Sequence, residues 1–470
     1  MKKPLVTLLL LVNLVKIIAG QGVYSKNLIP EPPNIASLNK FIDIPVSHHT
    51  GQAEINIPIF ESTVGNELRF NLSLNYHTSG IKVAEIASNV GLGWALNAGG
   101  AISRKVNGLP DNNEGGYFRN SYTPEYFETL NDSDLTIFYN EHFVEDQNVD
   151  LLPDEYYYNF CGESGRMIIS KNLEVQCVPS NNWKIEIMNM LDCNNTTQWI
   201  ITTENGTKFI FGRSMNNARA AIDIIDSWTE GSHRTISSES VWHLLEVIFP
   251  NSNDFLEVFY EDYQQFYCNP NIDFFTKYNW ILLPITIPAD QIPHFSWSSN
   301  KGKTTIYGKR PSNINSSKFK IYFRHNFARQ DILGDFALSA IEIKNVSDEI
   351  ISKYELNYDH FYYSGALIGS VCGESNQNSR RYRLKLKSIN YFSQSNSMLE
   401  WYKFEYLTGS QPERLSHAVD YWGYYNGHTE NLTYIPTWTF DGITVPAGAN
   451  RYPNINSNAF ALYKIFYESR

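Results

Sequence analysis

Cysteine is scarce in this chain, with five residues at positions 161, 177, 193, 268 and 372 of 470. None forms a C-x-x-C pair and none stands at zinc spacing with a histidine, so a dithiol redox motif and a structural zinc module are both excluded. One or two disulfides remain open, and the fold must rest mainly on its core. Positive charge is short as well. The formal net charge is -11 and the pI about 5.5, so neither nucleic acid nor an anionic membrane would attract the chain over long range. After the first twenty residues, no apolar run approaches the ~20 residues that cross a bilayer. No stretch there sustains the 3.6-residue period of a long helix either.

The familiar catalytic spacings are also missing. The segment GLGWALNAGGAISRKVNGLPDN, residues 91–112, is rich in glycine but carries Leu96 where a G-x-G-x-x-G fingerprint needs its third glycine. No Gly-Lys-Ser/Thr follows, and AISRKVNG reads as a strand rather than the helix a phosphate site requires. Gly91, Gly93, Gly99, Gly100 and Gly108 therefore read as corners with positive φ or close backbone approach around one apolar anchor, Trp94. The expectation is that sheet backbones turn and nest there without enclosing a reaction cavity. Arg104 reads as a buried organiser of hydrogen bonds through its five donors. GESGR and GSVCGES lack the G-x-S-x-G elbow. Cys161 and Cys372 read as buried or bonded thiols rather than nucleophiles. The adjacent His48 and His49 would point to opposite faces of an extended segment, which suits a surface turn. Two acidic groups, Asp132/Asp134/Asp146 and Asp111/Asn112/Asn113/Glu114, offer oxygen ligands, but neither follows EF-hand order. They read as solvated loops, with calcium the lesser alternative. No cofactor is expected.

What the sequence has in quantity is alternation. EINIPIF places Ile55, Ile57 and Ile59 on one face, and LRFNLSLNYH does the same with Leu68, Phe70, Leu72, Leu74 and Tyr76, which predicts a hairpin turning at Gly65-Asn66. WIITTENGTKFIFG repeats the pattern around Asn205-Gly206, the strongest short hairpin signal. LLEVIFPNSNDFLEVFYED, LSAIEIKNVSDEIISKYELNY and RLKLKSINYFSQSNSMLEWYKFEYL are each two strands about a polar turn. RRYRLKLK, residues 380–387, reads as a strand with Arg383, Lys385 and Lys387 on a wet face. An aromatic content of 14% suits pleated, half-buried surfaces. The fold class is therefore all-β, serial antiparallel hairpins forming an extended or shell-like architecture. Residues 120–148, acidic and polar, and 284–317, rich in Pro, Ser and Lys, read as loops or insertions. They suggest units at 21–120, 121–300 and 301–470 behind the leader.

That leader is MKKPLVTLLLLVNLVKIIAG, residues 1–20. Lys2 and Lys3 precede an apolar run, and Ala19-Gly20 precede Gln21, which is the grammar of a cleaved signal peptide. The mature chain is expected to be exported, without a transmembrane segment, and soluble or held at the cell surface by a partner.

The run LSLNYHTSGIKVAEIASNVGLGWALNAGGAISRKVNGLPDN resembles the N-terminal region of large bacterial Rhs/YD-repeat proteins, including the SpvB-type segment at the front of toxin-complex B components. Gly91, Gly93, Trp94, Leu96, Ile102, Arg104, Gly108 and Pro110 occupy the positions of that family's G-x-G-W-x-L stretch, I-x-R strand and G-x-P turn. PDEYYYNFCGESGRMII, NGTKFIFG, VWHLLEVIFP and DYWGYYNG extend the resemblance over most of the mature chain. It implies a secreted, non-enzymatic scaffold of hairpins wound into a shell, with a protein partner or a following YD-repeat body as what it binds. Tyr358-Asp359 is the one Tyr-Asp pair resembling that repeat, so the chain is expected to be the front part of a divided longer protein or a front part acting alone. A different reading attaches to SHAVDYWGYYNG, where Asp420, Trp422, Tyr424 and Tyr425 could form a glycan platform or, with His417, an acid-base pair. Alternate aromatics in a strand are more commonly core or cross-strand pairs.

Overall fold

The computed structural model describes residues 53–469, apart from 66–67, 146–148, 192–195, 230–234, 251, 278–294, 368–376, 408–411, 436–438, 441–442, 445–448 and 453–461. The leader, the paired histidines, Cys193, Asp146 and Cys372 lie outside the described residues. Glu54–Arg470 forms one compact unit, and no described helix is long and apolar enough to cross a membrane.

The molecule is built from antiparallel hairpins in series. β1 (Glu54–Val64), β2 (Leu68–His77) and β3 (Trp94–Ala98) make a three-stranded sheet, with Ile57 opposite Leu74 and Leu72 opposite Ala98. Next come β4 (Gly100–Lys105), β5 (Glu155–Phe160), β6 (Glu163–Ile169), β7 (Val175–Val178), β8 (Lys184–Met188), β9 (Gln198–Thr202) and β10 (Lys208–Arg213). β11 (Ala220–Thr229), β12 (Ile236–Ile248), β13 (Phe255–Lys277), β14 (Phe295–Ser316) and β15 (Lys320–Ala328) follow. The series ends with β16 (Phe336–Lys344), β17 (Ile350–Tyr362), β18 (Tyr382–Ser393), β19 (Met398–Tyr406), the short β20 (Thr439–Phe440) and β21 (Ile443–Thr444), and β22 (Leu462–Ser469). Strands β4 to β19 and β22 belong to one hydrogen-bonded network.

β12 is the junction of that network. Its first half pairs with β11 and β4, its second half with β10 and β13. Around it sit Trp242, Trp199 and Tyr156, all at 0% exposure. The two indoles meet edge to face with centroids 5.4 Å apart, the geometry an aromatic quadrupole favours.

Each hairpin expected from alternation is present: β1–β2, β9–β10 across Asn205-Gly206, β12–β13, β16–β17 and β18–β19. Two expected loops are not loops. Residues 295–316 form β14, paired with β13 along a ribbon from Leu256/Ser316 to Lys277/Phe295. Its many polar side chains conceal a strand that lacks an apolar face for most of its length. Within 120–148 lie α1 (Pro124–Thr129), α2 (Asp132–Tyr139) and a π-helical turn (Asn140–Glu145). Thr123 caps α1, and the Asn131 side chain accepts from the Ser133 and Asp134 amides to cap α2. Asp132 and Asp134 then occupy a first turn where the helix dipole favours negative charge. The edges expected near 120 and 300 thus fall beside a helical insertion and inside β14. A third departure is Arg383. It is 2% exposed rather than wet, because its Nη2 donates to the Val83 and Pro412 carbonyls at 2.9 and 3.2 Å. Arg380 and Arg381 close a short helical turn, α3 (Asn378–Arg381), ahead of the strand.

Candidate functional site

The glycine segment does not open into a helix; it runs from a turn directly into β3 and β4. Gly91, Gly93, Gly99, Gly100 and Gly108 all have positive φ. At Gly93 and Gly100 the constraint is also steric. A Cβ on Gly93 would lie 2.6 Å from the Tyr76 ring, and one on Gly100 would lie 2.5 Å from the Asn159 carbonyl. Trp94, 2% exposed, packs on Tyr76 and Phe404 with centroids at 5.2 and 4.8 Å. Its Nε1–H donates to the Tyr406 hydroxyl at 2.9 Å, which donates to the Leu386 carbonyl at 2.8 Å. One indole thereby ties the first sheet to β18 and β19.

Arg104 projects from β4 into a buried carboxylate pair. Its Nε donates to Asp154 Oδ2 at 2.7 Å, with both side chains at or below 1% exposure, and its Nη1 donates to Asn112 at 2.9 Å. The Asp154 amide donates to Asp111 Oδ1 at 3.0 Å, and the Tyr156 hydroxyl to Asp111 Oδ2 at 3.3 Å. Burial first, and Asp154 second, push the Asp111 carboxyl up to about 7. The Gly108–Pro110 turn is stitched to the same place, since the Leu109 amide donates to Asp150 Oδ2 at 2.9 Å and the Asn113 amide to the Pro110 carbonyl at 2.9 Å. These residues organise a turn. Asp111 and Asn112 are spent in it, and the other acidic group has Asp132 and Asp134 in the first turn of α2.

Where the sequence suggested nesting without a cavity, an open cleft of about 630 Å³ lies between residues 86–101 and the sheet of β11 to β14. Half-buried Leu96 lines it, opposite Leu74 in the ladder. On the floor, His243 Nε2 lies 2.9 Å from Asp223 Oδ1, an oxygen that also accepts the Lys309 amide at 2.7 Å. The His243 ring sits 5.1 Å from that of Tyr260, whose hydroxyl donates to the Leu244 carbonyl at 2.7 Å. Burial raises the pKa of Tyr260 and of Tyr263. Arg310 donates to Glu261 at 2.7 Å and to Asp335 at 2.8 Å, and Asp335 also accepts from Arg329 at 3.2 Å. The charges at the floor are thus matched within the protein.

The Asp420 segment is a tight turn. Asp420 Oδ1 accepts the Trp422 and Tyr424 amides at 2.8 and 2.9 Å, and Arg451 Nη2 donates to the Asp420 carbonyl. Tyr421 and Trp422 stand out at 55% and 72% exposure, while Tyr424 and Tyr425 are half-buried. The two exposed rings are at 83° to each other, so they do not form a flat platform. His417 is buried against Tyr434 at 4.4 Å, and Asp420 spends its carboxylate on the turn. Cys161 and Cys177 are free thiols, and burial pushes Cys161 up to about 12; Cys268 is disulfide-bonded.

Sequence reading missed the cleft. Asp223, His243, Tyr263 and Lys309 converge only through the β11–β12, β11–β14 and β13–β14 ladders. A signal was present in the wet positions of the early strands, where Asn56, Asn75 and Asn97 alternate with the apolar residues that predicted the fold.

No family model matches the chain, and no curated protein matches it. Solved structures similar to it include two toxin-related or effector-related proteins. The N-terminal domain of effector protein SpvB from Salmonella typhimurium strain LT2 is alike over 72% of this chain and 98% of that one, at 12% identity and a TM-score of 0.33. TcdB2-TccC3 without its hypervariable C-terminal region is alike over 76% of this chain, at 13% identity and a TM-score of 0.38. This chain spans 16% of that molecule's length.

Proposed function

We propose that this chain is an exported, non-enzymatic β-scaffold of the Rhs/YD-associated kind, a wall element of a toxin or effector shell whose task is to bind a partner protein. The leader grammar supports export. The motif positions from Gly91 to Pro110 support the kinship, and they serve architecture: the glycines turn the chain, Trp94 locks two sheets together, and Arg104 holds a turn. The observation that carries partner binding is the 420–424 turn. There a hydrogen-bonded carboxylate and Arg451 hold Trp422 outward at 72% exposure. A large ring carried on a backbone fixed in advance needs less ordering on docking, which is the character of an interface anchor.

The test is an aromatic photo-crosslinking amino acid at position 422, which replaces ring by ring, in the secreting cell, with the same probe at Leu333, 76% exposed, as control. The expected result is one discrete protein adduct from 422, suppressed by excess unmodified chain and not by excess Trp422→Ala chain. Equal labelling from both positions refutes the proposal.

A further inference from the structure

The cleft beneath the glycine corner has a composition that architecture does not require. Asn75 and Asn97 enter from β2 and β3, Asn159 from β5, and Tyr263 and Gln265 from β13. Ser73 lies opposite Asn97 in the ladder, which puts Asn75 and Asn97 on one sheet face as diagonal neighbours. Among the described residues, the amides of Asn97 and Asn159 make no side-chain hydrogen bond within the protein. Asn75 accepts only from Ser73, at 3.4 Å, leaving its NH₂ unspent. Gln265 donates to Asp335 at 3.1 Å and keeps its carbonyl free for the cleft.

The charged groups behave oppositely. Asp223, Asp335 and Arg310 are each taken up by neighbours, and Lys309 Nζ pairs with Asp262. Hydrogen-bonding capacity is therefore offered by neutral amides and a tyrosine hydroxyl, while the ionic groups cancel. A carboxamide donates and accepts at once, which matches a hydroxyl group that does the same. Tyrosine rings on the floor offer apolar faces to C–H groups. A volume of about 630 Å³ lies within the roughly 300–1,000 Å³ of clefts that take small ligands.

We propose that this cleft binds a neutral oligosaccharide, at a site separate from the Trp422 turn. Hydroxyls of the sugar displace water from Asn75, Asn97 and Asn159 on the roof and side, and one sugar face rests toward Tyr263. An anionic sugar gains nothing, because the cations at the floor already have carboxylate partners.

The test applies the full chain to a glycan array of neutral and acidic oligosaccharides, with calorimetry on the best neutral hit and tetra-alanine as a peptide control. The expected result is saturable binding of a neutral oligosaccharide, weakened at least tenfold in the Asn97→Ala/Asn159→Ala double variant and unchanged in Trp422→Ala. Should the double variant lose its cooperative urea transition, Gln265→Ala on the opposite wall takes its place, with the same loss expected. The proposal is overturned if no neutral glycan binds, if binding survives these substitutions, or if sialylated glycans or the peptide bind more tightly. It is overturned equally if Trp422→Ala alone abolishes binding. None of these outcomes bears on the crosslink at position 422, so the two proposals fail separately.

Discussion

Trp94→Ala removes the indole that joins the β1–β3 sheet to β18 and β19. The side chain is 2% exposed and touches Tyr76 and Phe404, so deletion of the ring costs roughly 3 to 5 kcal/mol in lost transfer energy and residual cavity. About 0.5 to 1.5 kcal/mol of that belongs to the hydrogen bond from Nε1. The Tyr406 hydroxyl still donates to the Leu386 carbonyl, so no buried donor is orphaned. Trp94→Phe keeps most of the packing and should cost roughly 1 to 2 kcal/mol, the hydrogen bond plus a smaller void. Urea unfolding followed by β-sheet circular dichroism measures both. With a slope near 3 kcal/mol/M, as a large ΔASA implies, the Ala variant should lose roughly 1 to 1.7 M in midpoint at unchanged slope. An unchanged midpoint would refute the reading of Trp94 as a lock between sheets. A Phe variant as unstable as the Ala variant would show that packing is not the larger share.

Two further outcomes follow from the carboxylate pair and the thiols. Asp111, held up to about 7 by burial and Asp154, favours its protonated form in the fold, so its contribution is present below the ordinary carboxylate range and is lost as pH rises through about 7. Asp111→Asn cannot ionise, and its stability relative to the parent should rise by roughly 1 to 3 kcal/mol between pH 4.5 and 8; a flat difference in urea midpoints contradicts this. Cys161, pushed up to about 12 by burial, should be alkylated by iodoacetamide at pH 8 more slowly than Cys177. Peptide mass mapping that finds Cys161 modified first removes it from the inert class.

Local pattern made much of the fold legible. Ile55/Ile57/Ile59 against Phe70/Leu72/Leu74 set the first hairpin because a period of two admits one buried face, and Asn205-Gly206 set another because its turn needs residues tolerant of positive φ. Where a segment answered to neighbours far away in sequence, the pattern misled. Arg383 alternates with apolar residues as a wet residue does, yet the carbonyls of Val83 and Pro412 accept its guanidinium in the interior. β14 carries little apolar periodicity because its partner ladder supplies the order. The acidic run that opens α2 read as solvated loop, although Asn131 three residues ahead of Asp134 is a helix-cap signal. The cleft was least legible of all, since its floor and roof are some 140 residues apart, as His243 and Ala101 are in their shared register.

The fourfold pairing of β12 limits how this chain can vary. Adding or deleting one residue within it would rotate every later side chain to the opposite surface and disturb several strand pairings at once, turning Trp242 or Leu244 toward water. Length changes among natural variants should therefore gather at hairpin tips and in the helical insertion, and spare this strand altogether.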